Sequence, residues 1–276
     1  MSEIAGRTKA VSIDVGYLKH NFFYFDKPVE YKLDSGYILN IYPIYLKDSE
    51  YFLLSKDILD YDKNSVPDPK VIQMSYLQFL YEFLLKEEIN KQKLLNILIL
   101  CLKIKNPIIS FDKNNKVVLI DYDNQDIIIS QNQFDDIRRI ILYQNLIDYD
   151  DEYINPELKK NLDEEMYLKN KNIDPPSLER KIAIISAHTG ILKSDQLDMT
   201  YRFHSLLFQE VYEESEYNTL YPIIALSGQS DKAEKWIYKN KKEKFADRTV
   251  SVSQFNKQAG GTGNVEQKII NIKEEK

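Results

Sequence analysis

The most regular pattern of apolar and polar positions lies near the N-terminus. In Val29–Leu33 and again in Tyr37–Tyr42 the apolar residues occupy alternate positions, as the two faces of a β-strand require. The small polar residues of Asp34–Gly36 between them tolerate the positive φ of a tight turn. Pro43 has no N–H to give to a ladder, so the second strand should end there or lie at a sheet edge. The pattern predicts a β-hairpin.

Helical periodicity follows the hairpin in two stretches. Asp48 or Ser49 is suited to cap a helix that runs to about Tyr61. The two prolines of Val66–Pro69 predict its end, because each disfavours the αR conformation at the preceding residue. The sequence Ser75-x-x-Gln78 is a capping-box pattern, and it opens an apolar helix. The packed residues predicted for that helix are Leu77, Phe79, Leu80, Tyr81, Phe83, Leu84 and Leu85.

The sequence before the hairpin is less regular. Val11, Ile13 and Val15 alternate with polar residues and suggest a short strand. Phe22–Phe25 is an aromatic run with no clear period. Two interpretations are open for this run, packing on the hairpin or exposure for a partner.

The middle of the chain predicts a central helix followed by a small sheet. Leu94–Leu102 is apolar nearly all round, which is typical of a helix inside a core, and Pro107 should end it. We interpret Cys101, within this stretch, as a small buried hydrophobic residue. Three short β-branched runs then predict an antiparallel meander: Ile108–Phe111, Val117–Ile120 and Ile127–Ile129.

A further amphipathic helix is predicted from Asn132 to Asn145. Asp135 suits its first turn, since carboxylates are favourable near a helix N-terminus. The predicted buried face consists of Phe134, Ile137, Ile140, Ile141 and Gln144. Asp136, Arg138 and Arg139 are predicted to point away from the core.

The segment after this helix suggests a boundary. An acidic stretch precedes a charged helix predicted for residues 156–171, and two adjacent prolines follow within Asn170–Pro176. We predict an α+β domain at 1–172, a helical domain at 173–240 and a flexible tail at 241–276. The tail is rich in charge, Gly and Gln.

Residues 177–213 have the outline of a helix-turn-helix. A helix is predicted from Ser177 to His188, Gly190 supplies a stop, and Ser194 or Thr200 can cap a second helix that runs to about Glu213. A DNA reader would expose Arg, Lys, Asn or Gln on that second helix. Arg202 and Gln209 are the candidates, among several glutamates whose charge disfavours phosphate contact. A packed helical hairpin is the favoured interpretation, and a DNA-binding regulator is the alternative.

Composition narrows the classes of protein. The 276 residues are 43% hydrophobic and 12% aromatic, which is ample for a core, and the formal net charge is −6. That charge disfavours general binding to nucleic acid or anionic membranes, because phosphate neutralisation needs clustered Lys and Arg. A single cysteine permits no intrachain disulfide. No apolar run approaches the about 20 residues of a membrane span, and no secretory signal opens the chain, so we expect a cytoplasmic protein.

Candidate chemistry is sparse. Asp121, Asp123 and Asp126 offer closely spaced carboxylates, but an EF-hand loop needs a glycine at its sixth position and a glutamate at its twelfth. Asp126 and Asn132 stand there instead, so we interpret the segment as a polar turn. The sequence predicts no metal site here.

The histidines and the glycine-rich segment do not match the spacing of known metal or phosphate sites. His20, His188 and His204 include no pair at the i, i+4 spacing of a helical metal site. Gly260–Gly263 is glycine-rich but lacks the preceding strand and following lysine of a phosphate loop, which favours a linker. We therefore predict no catalytic residues, no cofactor and no small-molecule ligand.

Several segments, in their order along the chain, resemble a family of proteins from large tailed bacteriophages of Gram-positive, low-GC hosts. The segments read FDKPVEYK, IYPIYLKDSEYF, DKNSVPDPKVIQMSYLQFL, FDDIRRIILYQN, SLERKIAIISAHTGI, LDMTYRFHSLLFQEV and KAEKWIYKN. The family is connected with tail or baseplate assembly. The resemblance implies a non-enzymatic, chaperone-like or structural protein that binds phage tail or baseplate proteins, in the host cytoplasm or in the virion tail. It implies no active-site residues.

Together the patterns predict a mainly helical α+β protein. It would consist of an N-terminal β-hairpin, a small antiparallel meander, a helical C-terminal part and a flexible C-terminal tail.

Overall fold

The computed structural model describes residues 13–61, 63, 68–151, 161–162, 164–168, 171 and 174–228. They belong to two compact units, Met1–Tyr212 and Glu213–Lys276. Within these residues the chain is mainly helical with two small antiparallel sheets, which confirms the predicted mainly helical α+β class. The boundary at residue 172, the Gly-rich segment and the tail at 241–276 lie outside the described residues, so the domain limits stay predictions.

The N-terminal hairpin forms as predicted. Strand β1 (Val29–Lys32) pairs antiparallel with β2 (Ile38–Ile41), and Val29 lies opposite Ile41. Gly36 in the turn has a φ of 88°, a conformation that glycine adopts without strain. The second strand ends before Pro43.

The strand predicted through Val11, Ile13 and Val15 is wrong at Val15, where helix α1 (Val15–Asn21) begins. Val11 lies outside the described residues. The Asp14 side chain accepts the Tyr17 N–H at 2.9 Å, so a helix cap overrides the weak period-2 signal. A 3₁₀ turn at Phe23–Phe25 follows.

The helix predicted through Tyr61 is two short helices, α2 (Ser49–Ser55) and α3 (Asp57–Asp60). The helical hydrogen-bond pattern is interrupted at Lys56, because the Leu59 N–H bonds to the Lys56 carbonyl, which is only three residues back. Both helices still bury apolar side chains, including Phe52, Ile58 and Leu59. A short helix α4 (Pro69–Gln73) follows, with Asp68 capping the Lys70 N–H.

Two apolar helices form the middle of the core. Helix α5 (Tyr76–Phe79) continues as a π turn at Leu80–Leu84. The Ser75 hydroxyl accepts the Gln78 N–H, but the Gln78 side chain donates to Glu82. The predicted packing of Tyr81 and Phe83 is wrong, because both side chains are exposed. One helix cannot bury its whole circumference when the core lies on one side of it.

Helix α6 (Glu88–Ile97) carries the predicted central apolar stretch and continues as a π turn at Leu98–Leu102. Cys101 is fully buried, as predicted. The helix ends before the predicted stop at Pro107, because Lys103 adopts a left-handed conformation with a φ of 61°.

The predicted meander is confirmed. It consists of β3 (Pro107–Phe111), β4 (Val117–Asp121) and β5 (Ile128–Ile129), in that spatial order. Helix α7 (Gln131–Asn145) follows, and Ser130 with Gln133 forms a complete capping box that the sequence analysis did not identify. The hairpin, the meander and helices α2, α3, α5, α6 and α7 contribute to one hydrophobic core.

Residues 161–162 and 164–168, within the charged helix predicted for 156–171, are helical, and most of the rest of that range lies outside the described residues. Three further helices follow: α8 (Leu178–Thr189), α9 (Lys193–Leu197) and α10 (Tyr201–Leu226). Gly190 ends α8 with a φ of 75°, as predicted. Thr200 caps α10 by accepting the Phe203 N–H at 3.2 Å, whereas Ser194 lies inside α9. Helix α10 continues past the predicted end at Glu213 and includes Pro222.

Candidate interaction surfaces

An aromatic surface lies at the N-terminal end of the described chain. Tyr17, Tyr24 and Phe25 are 57%, 60% and 63% exposed, and we call them the N-terminal aromatic surface. Such rings are enriched as anchors in protein interfaces because they bury a large area with few rotatable bonds. Within the aromatic run Phe23 is buried and Phe22 packs against the core, whereas Tyr24 and Phe25 are exposed; the binding of a partner by these rings stays a prediction.

The backbone under this surface is fixed from two sides. The 3₁₀ turn buries Phe23 and ends at Asp26, which is left-handed with a φ of 54°. The Thr200 hydroxyl, at the start of α10, donates to the Asp26 carboxylate at 2.8 Å. The Lys27 ammonium lies 5.3 Å from the centroid of the Phe25 ring. The exposed rings therefore stand on an ordered support.

A second aromatic cluster connects α5 with the meander. The Tyr81 and Phe111 rings meet edge to face with centroids 5.4 Å apart, and Phe83 stacks on Phe79 at 5.5 Å. Tyr81, Phe83 and Phe111 are all exposed, and we call them the Phe111 surface. A shallow depression of about 540 Å³ lies beside Tyr81 and Phe83, with Lys86 at its rim.

The second compact unit carries an apolar stretch of its own. Leu220, Tyr221, Ile223 and Leu226 are exposed within α10, and Leu226 is 90% exposed. The Tyr217 and Tyr221 rings stack at 5.1 Å. This stretch adjoins residues beyond the described part of the chain.

A charged cleft of about 690 Å³ lies within the first unit. Its charged lining residues are Lys56, Asp60, Asp148, Asp150 and Lys181. Aromatic rings complete the wall, among them Tyr149, Tyr201, Phe208 and Tyr212. Burial raises the pKa of Tyr149 to about 12, so its hydroxyl stays a hydrogen-bond donor in alkaline solution as well. The cleft therefore offers positively charged donors from its lysines and negatively charged acceptors from its aspartates.

Helix α7 carries polar residues that the sequence analysis assigned to the wrong side. Asp136 is buried and accepts the Tyr31 hydroxyl at 2.9 Å, although it was predicted to point outward. Burial raises the pKa of Asp136, and the hydrogen bond from Tyr31 partly offsets that rise. The residue fastens β1 to α7 and thereby fixes the support of the hairpin.

Arg138 also departs from its prediction. Its guanidinium donates to the Leu59 carbonyl at 2.5 Å and lies 4.1 Å from the centroid of the Tyr76 ring. The Tyr76 N–H donates to Asp135, whose pKa is raised by burial. A helical wheel places Arg138 outside the apolar stripe, yet its long side chain reaches back over the end of α3. This cluster joins α3, α5 and α7.

The helix-turn-helix hypothesis needs Arg202 and Gln209 to reach DNA bases, and the structure places both beside other parts of the protein. Arg202 is buried and donates to the carbonyls of Tyr143 at 2.9 Å and Leu146 at 3.4 Å. Gln209 lines the charged cleft. In the described structure Arg202 supports the junction between α7 and α10.

Two of the three carboxylates considered as a calcium loop accept hydrogen bonds from neighbouring residues. Asp121 is buried and accepts the Asp123 N–H at 3.1 Å, while Asp123 accepts from the Asn106 amide at 2.9 Å. Among the described residues, no group of three or more His, Cys, Asp and Glu side chains is arranged to hold a metal ion. The three aspartates shape a polar turn.

The histidines occupy different environments. His204 is buried, and burial together with the nearby Lys181 ammonium lowers its pKa to about 4. His20 packs edge-on against Tyr24, with ring centroids 5.2 Å apart.

The helices in the described part of the chain include none with the length and apolar character of a membrane span.

The chain matches no known family model, no curated protein and no solved structure.

Proposed function

We propose that this chain is a non-enzymatic bacteriophage morphogenesis protein that binds tail or baseplate proteins during assembly. One support is the ordered series of segments, from FDKPVEYK to KAEKWIYKN, that resemble a phage tail-assembly family. The N-terminal aromatic surface is the observation that carries the binding role, because three large rings are exposed on an anchored backbone. On this proposal the protein acts in the host cytoplasm, or stays in the virion tail.

The proposal has two forms with different consequences for the finished particle. An assembly chaperone binds its tail or baseplate partner and leaves, whereas a structural component stays in the virion. Both forms use the same aromatic surface, since exposed rings can bury area against either a transient or a permanent partner.

The first experiment combines mass spectrometry of purified phage particles with a pull-down from infected cells. Abundance in particles would identify a structural component. Capture of tail or baseplate proteins from lysate, with absence from particles, would identify an assembly factor. Failure of both would overturn the phage assignment and reopen the helix-turn-helix DNA-binding alternative.

A pair of variants ties the result to the surface. Tyr24→Ala combined with Phe25→Ala removes two exposed rings and should abolish capture of the tail protein. Tyr122→Ala removes a ring that is just as exposed but lies in the turn after β4, so capture should persist. Equal capture by both variants would mean that the N-terminal aromatic surface is not the binding site.

A further inference from the structure

The outer edge of β3 presents main-chain groups that no other described residue engages. The Asp112 N–H donates to the Lys116 carbonyl at 2.8 Å, and the Tyr122 N–H donates to the Asn106 carbonyl at 2.9 Å. In an antiparallel pair, successive residues of a strand point their N–H and C=O groups alternately toward the partner strand and away from it. These two bonds and the register show that Ile108 and Ser110 are the residues that exchange hydrogen bonds with β4. The N–H and C=O groups of Ile109 and Phe111 therefore point away from β4. Among the described residues, none of them has a hydrogen-bond partner.

The two edges of the N-terminal hairpin are protected differently from the edge of β3. The Leu33 N–H donates to the Tyr37 carbonyl, so Glu30 and Lys32 supply the outward main chain of β1, and both carry charge. On β2 the outward N–H of Tyr42 donates to the Cys101 carbonyl at the end of α6. Charged residues and coverage are the usual protections of an edge strand. Strand β3 has Pro107 at one end and otherwise the apolar sequence IISF.

The Phe111 surface lies beside this edge. Phe111 contributes both an outward-facing main chain and a ring that meets Tyr81. The depression next to Tyr81 and Phe83 is also lined by Leu85 and by the charged residues Glu82 and Lys86, and it begins at the Tyr81 ring that contacts Phe111. A strand added to β3 would place alternate side chains on the same face as the Phe111 ring, because side chains alternate between the two faces.

We propose that the outer edge of β3 is a docking site for an extended segment of a partner protein, which adds to the meander as a fourth strand. Main-chain hydrogen bonds to Ile109 and Phe111 would hold the segment, and an apolar side chain would fill the depression beside Tyr81. This mode of recognition takes its affinity from the backbone and its specificity from alternate side chains. The proposal does not rest on the phage assignment.

A second copy of this chain fits the edge less well than a separate segment. The β3 strand of another copy would present Ile109 and Phe111 on the relevant face. Ile109 packs against its own core and Phe111 contacts its own Tyr81, so neither is free to fill the depression. A partner segment with an uncommitted side chain meets no such restriction.

The test uses two substitutions at one position. Phe111→Pro and Phe111→Ala both remove the ring, but only proline also removes the outward N–H. Proline is tolerated at an edge position whose N–H faces away from the ladder, so the fold should persist, which circular dichroism would verify. Lys32→Pro makes the same change at the β1 edge and is the spatial control.

The probe is a displayed library of random dodecapeptides selected against the wild-type chain. We expect the enriched peptides to carry apolar residues at alternate positions. Measured by fluorescence anisotropy, they should bind the Phe111→Pro variant at least about fivefold more weakly than the Phe111→Ala variant, as expected for one lost hydrogen bond. Binding to the Lys32→Pro variant should equal that of the wild type. If Phe111→Pro does not fold, an enriched peptide N-methylated at alternate amides should lose binding to the wild type in one of its two methylation registers.

Three outcomes would overturn the proposal. The first is the absence of any enriched peptide, and the second is equal binding to the proline and alanine variants. The third is a dimer in sedimentation analysis that dissociates in the Phe111→Pro variant, which would assign the edge to a second copy. Slowed amide exchange at Ile109 and Phe111 on addition of peptide would support the proposal.

Discussion

Replacement of Asn145 by alanine would test whether a single buried amide joins the N-terminal hairpin to the helical core. Asn145 is the last residue of α7 and is 0% exposed. Its side-chain carbonyl accepts the Ile44 N–H at 2.8 Å, and its amide donates to the Ile141 carbonyl at 2.8 Å. The Ile44 carbonyl in turn accepts the Tyr201 N–H that opens α10. Asn145 therefore holds in place the segment after β2, which contacts the start of α10.

The cost follows from the fate of the Ile44 N–H. Ile44 is buried beyond the end of β2, so no sheet ladder can replace the lost acceptor. A buried donor without a partner costs about 1–3 kcal/mol, and we expect Asn145→Ala to lower the free energy of unfolding by about 2 kcal/mol. At about 2–4 °C per kcal/mol for a protein of this size, the melting temperature should fall by about 4–8 °C.

Urea denaturation followed by circular dichroism gives the free energy, and Asn21→Ala is the matched control. Asn21 is also the last residue of its helix, and its side chain also donates to a carbonyl four residues back. It is exposed, so its replacement should cost less than about 0.5 kcal/mol. Equal losses in the two variants would refute the reasoning, because they would show that the contact with Ile44 contributes nothing.

Three further predictions concern buried titratable groups. Burial raises the pKa of Asp136 in the folded state, so the wild type should lose stability relative to Asp136→Asn as pH rises above the ordinary aspartate pKa of about 4. A difference in urea titrations that stays constant with pH would contradict this. The pKa of His204 is lowered to about 4, so the wild type should lose stability as pH falls below about 6.5. His204→Gln should weaken this dependence of the free energy of unfolding on pH, and an identical dependence in both proteins would be the negative result. Cys101 is fully buried with its pKa raised to about 12, so a thiol-specific disulfide reagent should react only after unfolding, and rapid labelling of the native protein would show this to be wrong.

The sequence predicted the elements whose signal is local and repeated. Alternation in Val29–Leu33 and Tyr37–Tyr42 gave the hairpin, and three β-branched runs gave the meander, since each strand carries its own period. Helix ends were also predicted where one residue type has a backbone role, as Gly190 does. Lys56 and Lys103 show the limit, because a change of hydrogen-bond register or a left-handed lysine leaves no distinctive residue type to detect.

The polar interior was not predicted, for a physical reason. Whether Asp136 or Arg138 points inward depends on Tyr31 and Leu59, which are about a hundred and about eighty residues away along the chain. A hydrophobic stripe identifies the side of a helix that is apolar, but a polar residue beside it can still be buried if a distant partner satisfies it. The exposure of Tyr81 and Phe83 was missed for the converse reason, since periodicity does not reveal how much of an apolar helix its neighbours cover.

The fixed support beneath the exposed rings bears on how they would bind. Phe25 and Tyr24 lie between a buried ring, Phe23, and a hydrogen bond from Thr200 to Asp26. Ordering a flexible segment would consume part of any binding free energy, and a backbone already held in place avoids much of that cost. The Phe111 surface is held in the same way, by the ladder between β3 and β4 on one side and by α5 on the other. Both surfaces are therefore preorganised, which favours recognition of a partner without refolding of the described core.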